Sequence, residues 1–169
     1  DEVWVAKSSP AAAAYYESIT LKAGVALYGG FSGAESSLTE RNRDLNVTIL
    51  DGNAGYIVSS SAQQAVMDGF MIRNGLIGFY QSDGSSTFAN CTFSANQYGH
   101  YISKGTVNLI ECEISGNAKA GIEVYNGTVT LANCDLFANA AKGINTTGGT
   151  VNIAGCRIFQ NVYGVYSAG

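Results

Sequence analysis

Hydrolysis of a glycosidic bond needs two carboxyl groups a few ångströms apart, and the acids grouped closely enough to be considered are Glu111, Glu113, Glu123 and Asp135. They fall at offset positions of the repeat that runs through this region, and no Asp-Asp, Asn-Thr-Asp or Gly-His-Gly run accompanies them. Elimination from an acidic glycan needs calcium-binding acids beside a base that abstracts a proton; the basic candidates Arg73 and Arg157 lie several repeats apart. Asp51-Gly52-Asn53 and Asp68-Gly69 look like pieces of calcium loops, but without a repeated acidic nonapeptide they read as turns. His100 is the single histidine. Aligning the glycines that follow each repeat's asparagine puts it in one column with Phe79, Ile122, Ile144 and Val165, so it is expected to be a partly satisfied interior or near-surface residue rather than a base. The expectation is no enzyme, no cofactor and no metal.

Cys91, Cys112, Cys134 and Cys156 are spaced by 21, 22 and 22 residues, which suits neither a zinc site nor the framework of a small disulfide-rich domain. They mark a repeat, Cys-x-apolar-x-x-Asn, with Asn96, Asn117, Asn139 and Asn161 closing the four copies and Asn74 closing an earlier one that lacks the cysteine. A glycine follows each asparagine by three or four residues, at Gly78, Gly99, Gly121, Gly143 and Gly164. The thiols are expected to be free, buried and stacked. Tyrosine is the more informative residue: Tyr80, Tyr101 and Tyr166 share an outward column, with Tyr98 and Tyr163 at the adjoining corner. This candidate interaction surface has three readings: cross-coil stacking, sugar stacking, or packing against another protein chain.

Positioning such columns requires a particular kind of element. Within one unit the apolar alternation resets repeatedly, as Val107 and Leu109, Cys112 and Ile114, then Ile122 and Val124, with Gly, Asn or Ser between. A two-residue period excludes a helical solenoid, and three short strands per unit close a triangular coil. Five consecutive copies of one period indicate a stack of coils paired in parallel about 4.8 Å apart. The expected fold is all-β: one right-handed parallel β-helix over residues 1–169, with roughly 21–22 residues per coil and about seven coils. The asparagine column is expected to form a ladder inside the corner, where its amides satisfy the bending backbone.

Charged residues are 13% of the 169 and apolar ones 46%, with a net charge of −4 spread thinly. That balance argues against nucleic acid as a partner, and no window is apolar for long enough to insert as a membrane helix. Asp1-Glu2-Val3-Trp4-Val5 reads as a strand rather than a leader peptide.

Leu21 to Glu35, Arg41-Asn42-Arg43, Asn46 to Asn53 and Met67 to Asn74 together resemble the amino-terminal part of pectin-lyase-like right-handed β-helix domains of large secreted bacterial surface proteins. Phe93 to Asn96 and Leu136 to Asn139 are similar to the Phe-x-x-Asn repeats of polymorphic outer-membrane adhesins. The resemblance implies a bacterial origin and an extracellular or cell-surface location. The resemblance implies a helical cap ahead of the first strand, and the expectation is that the chain is a fragment without it, is covered by another domain, or stacks on its own copies. Both ends are therefore expected to be open, with Val3, Trp4, Val5, Val165 and Tyr166 as candidate assembly contacts. The function expected is a structural or adhesive rod whose partner is itself, stacked head to tail, or a cell-surface or matrix glycan. The alternative is a glycan-binding or glycan-cleaving domain of a larger secreted protein, which acids converging in a groove would favour.

Overall fold

The computed structural model describes residues 1–8, 14–52 and 55–168; the Asn53 part of the first turn discussed above lies outside them. The chain winds through seven coils. The first holds β1 (Glu2–Ala6) and β2 (Ile19–Thr20), and the second β3 (Ala26–Phe31), β4 (Thr48–Asp51) and β5 (Tyr56–Ser60). The third holds β6 (Ala65–Asp68), β7 (Phe70–Arg73) and β8 (Ile77–Gln81); the fourth β9 (Ser85–Ala89), β10 (Thr92–Ser94) and β11 (Tyr98–Ile102). The fifth follows with β12 (Thr106–Ile110), β13 (Glu113–Ser115) and β14 (Ala120–Val124), and the sixth with β15 (Thr128–Ala132), β16 (Asp135–Phe137) and β17 (Lys142–Thr146). The seventh has β18 (Thr150–Ala154), β19 (Arg157–Phe159) and β20 (Tyr163–Ser167).

Each strand pairs in parallel with its counterparts in adjacent coils, giving three sheets that run the length of the stack: β1-β3-β6-β9-β12-β15-β18, β4-β7-β10-β13-β16-β19 and β2-β5-β8-β11-β14-β17-β20. We refer to these as the first, second and third sheets. The alternation read from the sequence sets which residues point inward. Met67, Phe88, Leu109 and Leu131 form one column, and Leu50, Ile72, Phe93, Ile114 and Leu136 form another. A third runs Val58, Phe79, His100, Ile122 and Ile144. All of these are fully or almost fully buried. Cys91, Cys112 and Cys134 are buried free thiols, and Cys156 is partly exposed in the last coil.

The corners are made by left-handed residues. Between the first and second sheets these are Gly69, Asn90, Glu111, Asn133 and Gly155, with φ from 50° to 79°. Between the second and third they are Asn74, Ala95, Gly116, Ala138 and Gln160. The asparagine ladder stands immediately after this second corner. Asn117 accepts from the Asn96 N–H at 3.1 Å and donates to the Phe93 carbonyl at 3.2 Å and to Asn139 Oδ1 at 2.8 Å. Asn96, Asn139 and Asn161 repeat the pattern. The trailing glycine has a steric cause: a Cβ on Gly121 would lie 2.6 Å from the Gly143 carbonyl oxygen and 3.0 Å from the Asn139 amide nitrogen.

Asn74 corrects the expected ladder. Phe93 pairs with Ile72 and Ser94 with Arg73, so Asn74 shares the level of Ala95, one residue before the ladder. It is exposed, adopts φ +63° and donates to Asp51 Oδ1 at 2.9 Å.

Candidate functional site

The outward face of the third sheet carries the tyrosines. Tyr80 and Tyr101 are adjacent in one column, which then continues through Glu123 and Asn145 to Tyr166. The expected stripe is therefore interrupted by two polar residues. Tyr98 and Tyr163 share a neighbouring column in which Ala120 and Lys142 separate them. Two rings that the sequence alignment missed complete the cluster. Tyr56 stacks on Tyr80 at 4.7 Å between centroids, Tyr80 lies 5.9 Å from Tyr101, and Tyr101 lies 5.1 Å from Tyr125. Tyr98 meets Tyr101 edge-on at 5.7 Å. Tyr163 and Tyr166 form a separate pair, with the Lys142 ammonium 4.2 Å from the Tyr166 centroid. Tyr56 is missed because its coil has a different corner, and Tyr125 because it follows its strand instead of lying on it. Their signal in the sequence is only proximity to the repeat's glycines.

The ring planes decide what this face offers. Tyr56 and Tyr80 are 21° from parallel and stack on each other along the rod, which occupies one π-face of each ring. Clustered amphipathic tyrosine of this kind is enriched where proteins meet.

Glu123 lies on the outward side, in the column of Tyr101, yet is only 7% exposed. Asn145 donates to its Oε1 at 2.5 Å, and Lys142 donates to Asn145 Oδ1 at 2.9 Å. Desolvation raises the Glu123 pKa, with the Asn145 bond and Lys142 opposing. These three residues, with Tyr98, Lys119 and Ala120, line a shallow depression of about 250 Å³.

A second, larger groove of about 600 Å³ lies over the second sheet, walled by Arg43 and Asp44 and floored by Met71, Thr92, Glu113 and Asp135. Here the structure corrects the expected offset of the acids, because Glu113 and Asp135 are direct neighbours in adjacent coils and Glu111 lines the same groove. Two of the three are engaged. Arg157 grips both Asp135 oxygens, Nε at 2.7 Å from Oδ1 and Nη2 on Oδ2, and holds the carboxyl below its ordinary range. Glu113 accepts from Ser115 Oγ at 2.8 Å. Arg73 is four coils away on Asp51, at 2.8 Å. Asp68 binds Arg41 at 2.9 Å and Arg43 at 3.6 Å, so both calcium-like fragments spend their carboxylates on arginines. Among the described residues no group of three or more His, Cys, Asp or Glu side chains is placed to hold a metal.

His100 is fully buried, as its column requires, but neither ring nitrogen has a hydrogen-bond partner; the expected partial satisfaction is absent. Of the candidate assembly residues, Val3, Trp4, Val165 and Tyr166 are 39–52% exposed and Val5 packs against the core. Trp4 already stacks on Phe31 at 5.0 Å, 6° from parallel. Val165 continues an inward column and is exposed because no described coil lies beyond it.

A family described as the right-handed beta helix region matches residues 40–169. No curated protein and no solved structure matches the chain. The matched span runs from β4 of the second coil through the seventh, well over half of the chain, so the chain belongs to the right-handed β-helix family.

Proposed function

We propose that this right-handed β-helix is a non-catalytic structural or adhesive element of the cell surface, and that the tyrosine-bearing face of its third sheet is the contact surface. The observation that carries the reading is the run Tyr56, Tyr80, Tyr101 and Tyr125, each ring within 6 Å of the next across successive coils. A rigid sheet presenting a cluster of tyrosine rings loses little conformational entropy on binding. The resemblance to secreted bacterial surface domains supports an extracellular setting. The test is binding of the intact chain to immobilised extracellular-matrix proteins and, in parallel, polysaccharides. Binding to protein that is lost in a Tyr80→Ser, Tyr101→Ser double variant is the expected result; undiminished binding, or binding to polysaccharide alone, overturns it.

The acid-lined groove favours a second reading, a glycan-binding or glycan-cleaving site. Hydrolysis requires a carboxylate free to act as base or nucleophile beside the acid, whereas Arg157 takes both Asp135 oxygens. We expect no turnover of pectin, alginate or similar acidic glycans, with or without calcium. Activity abolished by Glu113→Gln would establish the enzyme reading instead.

Head-to-tail stacking is a further proposal. The exposed Val3 and Val165 are surfaces of the kind that adjacent coils cover, and sedimentation of the purified protein with and without Val165→Pro tests it. Proline removes a pairing donor from the edge strand and should reduce any assembly seen.

A further inference from the structure

The fourth coil encloses an imidazole in hydrocarbon. His100 has no exposed surface, and its ring lies 4.0 Å from Phe93, 5.7 Å from Phe79 and 5.7 Å from Phe88, centroid to centroid. Above and below it in the column stand Phe79 and Ile122. Both ring nitrogens are buried without a partner, an arrangement that is costly even for the neutral ring and much more so for a charged one.

Among the described residues no carboxylate faces the ring to stabilise a cation. On its own strand Tyr98 and Tyr101 are half-buried on the outward side, and Tyr80 on β8 and Glu123 on β14 share the outward column of Tyr101. Strands β9, β10 and β12 carry no titratable side chain, and Glu113 on β13 is exposed. The remaining titratable neighbours of the interior are thiols. Cys91 is pushed up to about 12 by burial, and Cys112 is raised by its bond to Cys134 and by burial, so both stay neutral; Cys134, lowered to about 7 by the same bond, stands two coils beyond His100.

We propose that His100 is an acid-sensitive latch: the closed fourth coil admits only the neutral ring, so mild acid, by protonating the imidazole wherever the coil opens, favours the opened form of the strand that carries Tyr98 and Tyr101. The coupling is local, because His100 lies between those tyrosines on β11. The latch goes beyond the surface role proposed above and stands without it.

The sign follows from the burial. Desolvation lowers the folded-state pKa from the ordinary 6.5 to about 3, so between those values the unfolded chain binds a proton that the folded chain does not. Stability is therefore complete above about pH 6.5 and falls as pH drops toward 3. The unfolding equilibrium constant rises up to about tenfold for each pH unit in that window.

The test uses urea unfolding of the intact chain from pH 7.5 to 4.5, alongside His100→Phe and His100→Ile, which copy the residue types above and below in the column. Carboxylates shared by all three proteins contribute equally, so the difference between profiles isolates the imidazole. The wild type should lose roughly a hundredfold more in its folding constant than either variant over this range. Parallel profiles would overturn the latch. If neither variant folds, NMR titration of the single imidazole decides: a ring that stays neutral in the folded protein down to pH 4.5 supports the latch, and one that titrates near 6.5 defeats it. Near-ultraviolet circular dichroism of the tyrosines, followed during acidification, should change with the wild type's loss of stability. If this pH profile holds while the Tyr80→Ser, Tyr101→Ser double variant binds normally, the contact-surface reading falls and the latch stands.

Discussion

Asn117 and Asn74 sit at the same corner in different coils and do different work. Asn117 is fully buried and its amide makes three bonds; with alanine there, the backbone groups lose partners that water cannot replace. We expect Asn117→Ala to cost about 1–3 kcal/mol, read from the urea midpoint. Asn74→Gly is expected to cost less, about 1 kcal/mol, since glycine accepts the left-handed turn and only the one bond to the Asp51 carboxylate is lost. The sequence shows both as asparagine in a corner. An amide used for its hydrogen bonds and one used for its dihedral look alike one residue apart, which is why the repeat registers correctly at Asn96, Asn117, Asn139 and Asn161 but slips at Asn74. His100 was legible as inward from its column alone. That nothing meets its nitrogens was not legible, because the three phenylalanines around it come from two different coils.

At the scale of strands and corners, alternation was a reliable guide to direction and a poor guide to exposure. Ile114 is inward and fully buried as expected. Ile114→Asp should abolish or nearly abolish folding, an uncompensated charge in that column costing several kcal/mol; a melting temperature like that of the wild type would contradict the column assignment. Glu123 is outward yet covered, because Asn145 and Lys142 close over it from the next coil, and no single-strand pattern records how large the neighbour is. Glu111 shows the converse: an exposed acid at φ +51° where other coils use Asn or Gly. Glu111→Gly should raise stability by about 0.5–1 kcal/mol, by removing the left-handed strain of a side chain. In the loop after β3, Glu35 accepts from the N–H groups of Ser32, Gly33 and Ala34 and is lowered to about 2, the Ser32 N–H contributing most. This folded-state value is below the ordinary 4.5, so its stabilisation is present above 4.5 and fades as pH falls toward 2. Glu35→Gln should flatten that part of the profile and leave the window above pH 5 unchanged.

For the molecule as a whole, the repeat is also a rule for shortening it. Thr106 pairs with Thr128 and Val107 with Val129, so deleting residues 107–128 joins Thr106 to Val129 with every column still in register. The shortened chain should fold into a six-coil β-helix that unfolds cooperatively with a lower midpoint, whereas removing half that length should leave no ordered β-structure by circular dichroism. The fold was readable in the sequence because it is periodic, each column being announced several times. The tyrosine cluster and the acid groove were readable only in part, since they depend on Tyr125, Tyr56 and the Arg43 loop, which occur once each.

The bonds between coils also bear on how the chain reaches this state. Thr106 N–H meets the Gly84 carbonyl, Thr128 the Gly105 carbonyl and Thr150 the Gly127 carbonyl, so each new coil closes a loop of nearly the same size whatever the total length. The entropy of closure is then a fixed toll per coil rather than one that grows with the chain. Ordering needs a nucleus of neighbouring coils and afterwards proceeds like a zip. On a ribosome, such a chain has no distant partner to wait for: each strand docks once about one coil of sequence has followed it, and the rod lengthens in step with its own synthesis.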